Sequence, residues 1–467
     1  MPQPRLPASA APLAILLLGA LATLPWLPLR SFIYEEGANA VLARDILARG
    51  DLIHPATFGV PWVEKPSVLA WLIAGVSALT GGVSEWSARL PAIVASMATT
   101  LMVWRLVRRY ASASAAMFAG LAFLFCPMLL QKLAIAEPDT LICSLSFAAF
   151  TVWWDGAETG RVALWRWLAC GALLTALVMA KGPQPAGYFA LGVSAYTALH
   201  RRWRDAPGLI LCFAMPVAAL VAWAAANYAP GSERVWLGYM RVGNAFDPLK
   251  NLRTAGVLAL ELLPALLLAP FAPWPWRKGR TDAVPVVEPL LLYSTLTTAA
   301  LLLWPGSAGR YAMPIAPSVA ALAGLAWDRM GQGRRLVLRR TGAIALGCLI
   351  VAQLAMTLVV PPLFAGKFGQ SRAAGRSLEA AVQAAPAPLY CAAAGLRQPD
   401  TNQLFYARLP FRCIAPDVAA RLPAPFWFEA TTGELDDLAK ARPDLMVTRR
   451  VATPYGPLFA AARFDRR

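Results

Sequence analysis

The chain has 467 residues, of which 58% are hydrophobic and 15% charged, and its mean hydropathy is +0.51. That is more apolar side chain than the interior of a soluble fold of this length holds, so a soluble enzyme, a disordered chain and a collagen-like repeat are all excluded. Its 43 Lys and Arg against 26 Asp and Glu leave a formal charge of +17, which in so apolar a chain reads as basic cytoplasmic loops and not as a nucleic-acid surface.

Apolar runs long enough to cross a bilayer number about eleven. The first, Ala10–Leu29, ends in Pro25-Trp26-Leu27-Pro28 without a small-residue cleavage site, and reads as a retained span. The next are expected near Ala88–Leu106, Ala113–Leu130, Thr140–Trp154, Trp165–Ala180 and Gln184–Leu199. Further spans are expected near Pro207–Tyr228, Ala255–Phe271, Val286–Trp304, Ala312–Trp327 and Gly342–Val360. Val68–Leu79 is too short to cross and is expected to lie on or dip into the membrane. With the N-terminus inside, the clusters Arg105/Arg108/Arg109, Arg161/Arg166, Arg201/Arg202/Arg204, Arg277/Lys278/Arg280 and Arg329 to Arg340 all fall on the cytoplasmic side.

That orientation leaves residues 30–87 and everything after 361 outside the cytoplasm. Residues 1–361 are therefore expected to form the membrane domain, with 30–87 as its long outer loop, and 362–467 a small extracytoplasmic α/β domain. In the latter, a helix is expected at Ser377–Ala385 and strands at Pro388–Cys391, Leu404–Ala407, Phe411–Ile414 and Leu445–Thr448. Cys391 and Cys413 both lie on strand-like pieces in an oxidising compartment and are a candidate disulfide; the other cysteines lie within spans, as small buried hydrophobes.

Ionisable groups at membrane depth are costly, so the charges at the outer ends of spans are informative. Tyr34-Glu35-Glu36-Gly37 follows the first span, and Trp62-Val63-Glu64-Lys65-Pro66 closes the same loop. Glu137-Pro138-Asp139 opens the fourth span, Lys181-Gly182-Pro183 turns between the fifth and sixth, and Arg310-Tyr311 opens the tenth. Carboxylates gathered with Lys and Arg at one membrane face suit a reaction in which a phosphate leaves and a nucleophile loses a proton. Transporters collect such charges too, whereas Asp45, Arg49 and Asp51 read as an ordinary solvated helix end.

The order Tyr34-Glu35-Glu36-Gly37, Gly50-Asp51, Pro55, Glu64-Lys65-Pro66 and Arg89-Leu90-Pro91 resembles the first outer loop of the polyprenyl-phosphate-sugar-dependent glycosyltransferases of the GT-C superfamily. The nearest branch is the protein mannosyltransferase and lipid A aminoarabinose transferase type, glycosyltransferase family 39/83. The resemblance implies an all-α polytopic membrane fold and an inverting transfer of one sugar from a polyprenyl-phosphate carrier. It implies a catalytic carboxylate at Glu35 or Glu36, and a second acidic site at Asp139 or Glu137. Lys65, Arg310, Tyr311 and Lys181 fall on donor-phosphate positions, and Glu64, Trp62 and Tyr34 on the cavity wall. The chain departs from the pattern where Ala38-Asn39 replaces Arg-Tyr, and where Gly243-Asn244 stands in a region that often carries an acidic-His pair.

No cofactor is required by the sequence; no zinc-ligand spacing exists, though Glu35 and Glu36 could hold a divalent cation through oxygen. The expected partners are membrane lipid, the lipid-linked donor and an envelope glycan, glycolipid or protein acceptor, without nucleic acid, for a monomer in a bacterial inner membrane. A lipid flippase and a lipid-linked oligosaccharide polymerase or ligase are the alternatives.

Overall fold

The computed structural model describes residues 10–239, 246–274, 284–304, 309–359, 369–393, 400–453 and 456–467. The Arg277/Lys278/Arg280 cluster, Gly243-Asn244 and residues 306–308 lie outside the described residues. The chain groups into two compact units, one of residues 1–26, 91–225 and 240–360, the other of residues 27–90, 226–239 and 361–467.

The first unit is helical. Among the described residues four helices of the chain are long and apolar enough to cross a membrane: Glu85–Arg108, Leu164–Lys181, Trp203–Ala226 and Gly333–Leu358. The last two bury only 17% of their apolar windows, and Ile210, Val217, Val221, Val337, Ile344 and Val351 project outward, which in water would be ruinous and in lipid is expected. The protein is a multi-pass membrane protein. Ala10–Thr23, Ala113–Leu124 and Val287–Leu303 are shorter apolar helices at positions where spans are expected.

The stretch read as one span over Ala255–Phe271 is broken: Pro248–Glu261 and Ala265–Phe271 meet at 93°. Pro264 at the break has no amide to give to the helical ladder, which explains why apolar composition alone overran it. Helices elsewhere approach closely over small residues; a Cβ on Gly324 would stand 2.7 Å from the Ala119 Cβ and 3.0 Å from the Ala115 carbonyl oxygen.

The second unit is mixed. The helices Glu36–Arg49 and Val68–Thr80 pack together, the latter 13 residues long and so too short to span, as its sequence implies. Between them lies a ribbon of β1 (Ala56–Thr57) and β2 (Val60–Pro61). The C-terminal residues build a five-stranded sheet from β3 (Leu389–Ala392), β4 (Phe411–Ile414), β5 (Phe426–Thr431), β6 (Leu445–Thr453) and β7 (Gly456–Arg466), in the order β4-β3-β5-β7-β6. β3 is parallel to β4 and β5, while β7 is antiparallel to β5 and β6.

Both faces of this sheet are covered. Phe426, Phe428 and Phe464 pack with Leu435 and Leu438 of the helix Thr432–Ala441 on one side; Trp427 packs with Leu378 and Val382 of the helix Gln370–Ala384 on the other. β5 thus lacks the apolar-polar alternation of a half-exposed strand, which is why the sequence pattern passed over it. Cys391 and Cys413 face each other in the β3–β4 register and form a disulfide. The strand expected at Leu404–Ala407 is not there: Asp400 accepts hydrogen bonds from the amides of Asn402 and Gln403 and starts a helical turn, Thr401–Leu404, instead.

Candidate functional site

In the second unit, the left-handed backbone of Tyr34 (φ 52°) turns the chain into the helix that Glu36 opens. A bulky residue holds that conformation only when its surroundings insist on it. Asn402, itself buried, supplies the insistence: its Nδ2 donates to the Tyr34 carbonyl at 2.8 Å and its Oδ1 accepts from the Gly37 amide at 3.0 Å. Both sides of the acidic pair are therefore tied by one amide side chain. The Tyr406 hydroxyl also accepts from the Phe32 amide (2.9 Å), and the Ser371 hydroxyl donates to the Phe32 carbonyl (2.8 Å).

The two glutamates have opposite surroundings. Glu36 has no exposed side-chain surface; Arg89 grips it through Nε at 2.8 Å and Nη2 at 2.9 Å, Arg30 lies at 3.2 Å, and the Ile33 amide donates at 3.1 Å. This is a bidentate, charge-assisted lock on a buried carboxylate. Glu35 keeps 38% of its side chain exposed and receives the Lys65 ammonium at 2.5 Å, while Lys65 is itself buried. Trp62 braces that lysine, its indole donating to the Lys65 carbonyl at 2.9 Å with its ring 5.8 Å from the ammonium. Trp236 holds the same segment by donating to the Val63 carbonyl at 2.6 Å. Burial pushes the Glu64 carboxyl above its ordinary range, the neighbouring Lys65 pulling it back and the Glu35 charge pushing it further up.

The first unit holds a separate cluster. Asp139, in the first turn of its helix, pairs with Lys181 at the end of another; Glu137 pairs with Lys132, and Lys132 also approaches Asp139 at 3.7 Å. All four groups are largely buried, where unpaired charges would be expensive, so each acid is matched to a cation. The Lys181 ammonium stands 5.1 Å from the ring of Tyr311, and the Arg310 guanidinium 5.5 Å from the same ring. Arg310 and Tyr311 belong to the short helix Gly309–Ile315, whose last residue lines an apolar groove of about 540 Å³ with Leu258, Leu262, Leu291 and Val319.

The structure thus brings Glu35, Lys65 and Trp62 together with Glu64, leaves the Tyr34 side chain exposed beside Glu35 in the chain, and separately joins Glu137, Asp139, Lys181, Arg310 and Tyr311. Arg89, Arg30, Lys132 and Asn402 escaped assignment from sequence. Arg89 stands in the family-like motif with no role attached to it, and Lys132 is a cation beside an apolar run; nothing local marks Asn402, which lies 365 positions from the glycine it binds. Among the described residues no three His, Cys, Asp or Glu side chains are grouped to hold a metal ion.

Residues 64–225 match the family model of dolichyl-phosphate-mannose-protein mannosyltransferases. The fold matches the crystal structure of ArnT from Cupriavidus metallidurans bound to undecaprenyl phosphate, with a TM-score of 0.69, 16% identity and 98% of each chain covered. The chain thus shares the fold of that transferase. An undecaprenyl phosphate-alpha-4-amino-4-deoxy-L-arabinose arabinosyl transferase of Edwardsiella ictaluri is 26% identical over 70% of this chain and 61% of its own length. The protein of the same name from an Enterobacter species is 28% identical over 37% of this chain and 31% of its own. The chain therefore spans less than two thirds of these curated relatives.

Proposed function

We propose that the protein moves a single sugar from a polyprenyl-phosphate carrier to an envelope acceptor (lipid A or lipopolysaccharide, another glycan, or a protein) at the periplasmic face of a bacterial inner membrane. One observation carries the reading: of two adjacent glutamates one is locked on arginines inside the fold, and the other is presented half-exposed on a buried lysine. An exposed carboxylate on an ammonium is poised to exchange partners. The donor phosphate takes the Lys65 ammonium, and Glu35 is released to accept a proton.

The acceptor oxygen then forms the bond to the anomeric carbon from the face opposite the carrier. The bond from that carbon to the phosphate oxygen breaks, its electron pair leaves on the phosphate, and Lys65 neutralises the charge that develops there. With a hydroxyl acceptor the proton goes to Glu35; with an ionised phosphate acceptor Glu35 only orients. Arg310, Tyr311 and Lys181 take the donor-phosphate role the family likeness gives them, with Asp139, Glu137 and Lys132 fixing the Lys181 ammonium. Tyr34, Trp62 and Glu64 shape the wall around Lys65, and the apolar groove beside Ile315 suits an isoprenoid tail. No cofactor is called for. The spans number about eleven, with the N-terminus cytoplasmic and residues 362–467 periplasmic, the chain acting as a monomer.

The test is release of free polyprenyl phosphate from radiolabelled carrier-linked sugars by the purified full chain in liposomes, with an envelope extract as acceptor. Release together with label transfer is the expected result. Carrier translocation without release across a panel of sugars would overturn the reading in favour of a flippase, and transfer of preassembled oligosaccharides alone in favour of a ligase.

A further inference from the structure

The second unit contains a cavity of about 690 Å³ in which four arginines, Arg44, Arg372, Arg376 and Arg408, face Glu85 and Glu379, an excess of two positive charges. Glu85 is already satisfied: Arg372 Nη2 lies 2.5 Å from its Oε1, and the Tyr406 hydroxyl donates to the same oxygen at 2.9 Å. Arg44 lies over the Phe405 ring at 4.0 Å and gives one Nη2 hydrogen bond to the Phe405 carbonyl, at 3.3 Å. A guanidinium has more N–H donors than that one bond uses. Neither Arg376 nor Arg408 has a carboxylate partner among the described residues.

The arginines come from three segments of the chain, so their convergence belongs to the tertiary fold and not to a local run of charge. Residues 372, 376 and 379 lie at helical spacing on one face of Gln370–Ala384, whose opposite face (Ala374, Leu378, Ala381 and Val382) is buried. Bringing cations together costs energy through mutual repulsion, and each guanidinium offers a planar fork of donors that matches phosphate oxygens. The volume falls within the range of small-ligand pockets, about 300–1,000 Å³.

We propose that this cavity is a phosphate-recognition site, which takes the phosphate-bearing headgroup of the sugar acceptor. The second half of that statement rests on the sugar-transfer reading; the first does not. Arg376 and Arg408 supply the attraction, Arg44 and Arg372 form a preset wall, and Glu379 tempers the field.

The test titrates the detergent-solubilised full chain with lipid A, with dephosphorylated lipid A and with inorganic phosphate, read by native mass spectrometry. Arg376→Ala/Arg408→Ala changes only exposed side chains and is expected to weaken lipid A binding about tenfold, while Glu379→Gln tightens it about threefold. That opposite sign is not what a structural role would give. Inorganic phosphate that displaces lipid A shows the phosphate alone to be the ligand; phosphate that does not shows that the site reads the sugar headgroup as well. Equal affinity for phosphorylated and dephosphorylated lipid A, or affinities unchanged in all variants, would overturn the site. In the transfer assay the double variant is expected to raise the acceptor KM with kcat unchanged. An unchanged KM would overturn the acceptor assignment even if binding is lost, and a wild type that binds lipid A without releasing polyprenyl phosphate would overturn the sugar-transfer reading while leaving the site standing.

Discussion

A carboxylate whose oxygens are filled by guanidinium and amide donors has little left to offer a substrate, and Glu36 is in that state, held by Arg89, Arg30 and the Ile33 amide. Glu35 keeps open surface and has Lys65 as its ion-pair partner. Glu64, next to that lysine, carries the opposite strain: burial raises its proton affinity above the ordinary value of 4.5. A folded-state value above the unfolded one means the native state holds the proton longer, so Glu64 stabilises the fold at low pH and that contribution is lost as pH rises through its raised value. The apparent Tm of wild type should therefore fall relative to Glu64→Gln as pH climbs from about 4.5. Parallel melting curves for the two proteins would contradict it. The motif drew attention to both members of the acidic pair, but it could not say which one reacts. The deciding contact comes from Arg89, 53 positions away, and a local pattern contains no long-range partner.

Among elements, the short turn Thr401–Leu404 matters more than its size implies, because Asn402 reaches from it to both flanks of the acidic pair. Asn402→Ala removes two hydrogen bonds, one of them to the buried Gly37 amide, at a cost of about 2–3 kcal/mol. Carrier-phosphate release should fall with it, and Asn402→Asp, which retains the acceptor for Gly37, should recover part of both. Chemical unfolding with parallel turnover assays would check this; wild-type turnover in Asn402→Ala would show that the clamp is idle. The long helices were legible because hydropathy is a local property. The break at Pro264 and the fully covered strand β5 were not, since one depends on a missing amide within an apolar run and the other on burial from both sides. The strand expected at Leu404–Ala407 is absent because its apolar residues follow directly on the helical turn that the Asp400 cap starts, and the apolar pattern does not register that cap.

For the molecule as a whole, composition alone was enough to place it in a membrane, and the outward-facing residues of Trp203–Ala226 and Gly333–Leu358 give that placement its structural form. What composition could not supply is the division of labour between charges that hold the fold and charges left to react. Adjacent residues hold the two roles here, so stability and turnover must be measured together. The direct comparison is of Glu35→Gln and Glu36→Gln in the full chain, each assayed for unfolding and for polyprenyl-phosphate release. The account predicts that Glu35→Gln keeps wild-type stability and loses release by about 100-fold or more. Glu36→Gln, which strands Arg89 in the interior, should lose about 3–5 kcal/mol of stability. Wild-type release by Glu35→Gln, or a fully stable Glu36→Gln protein that no longer turns over, would contradict it.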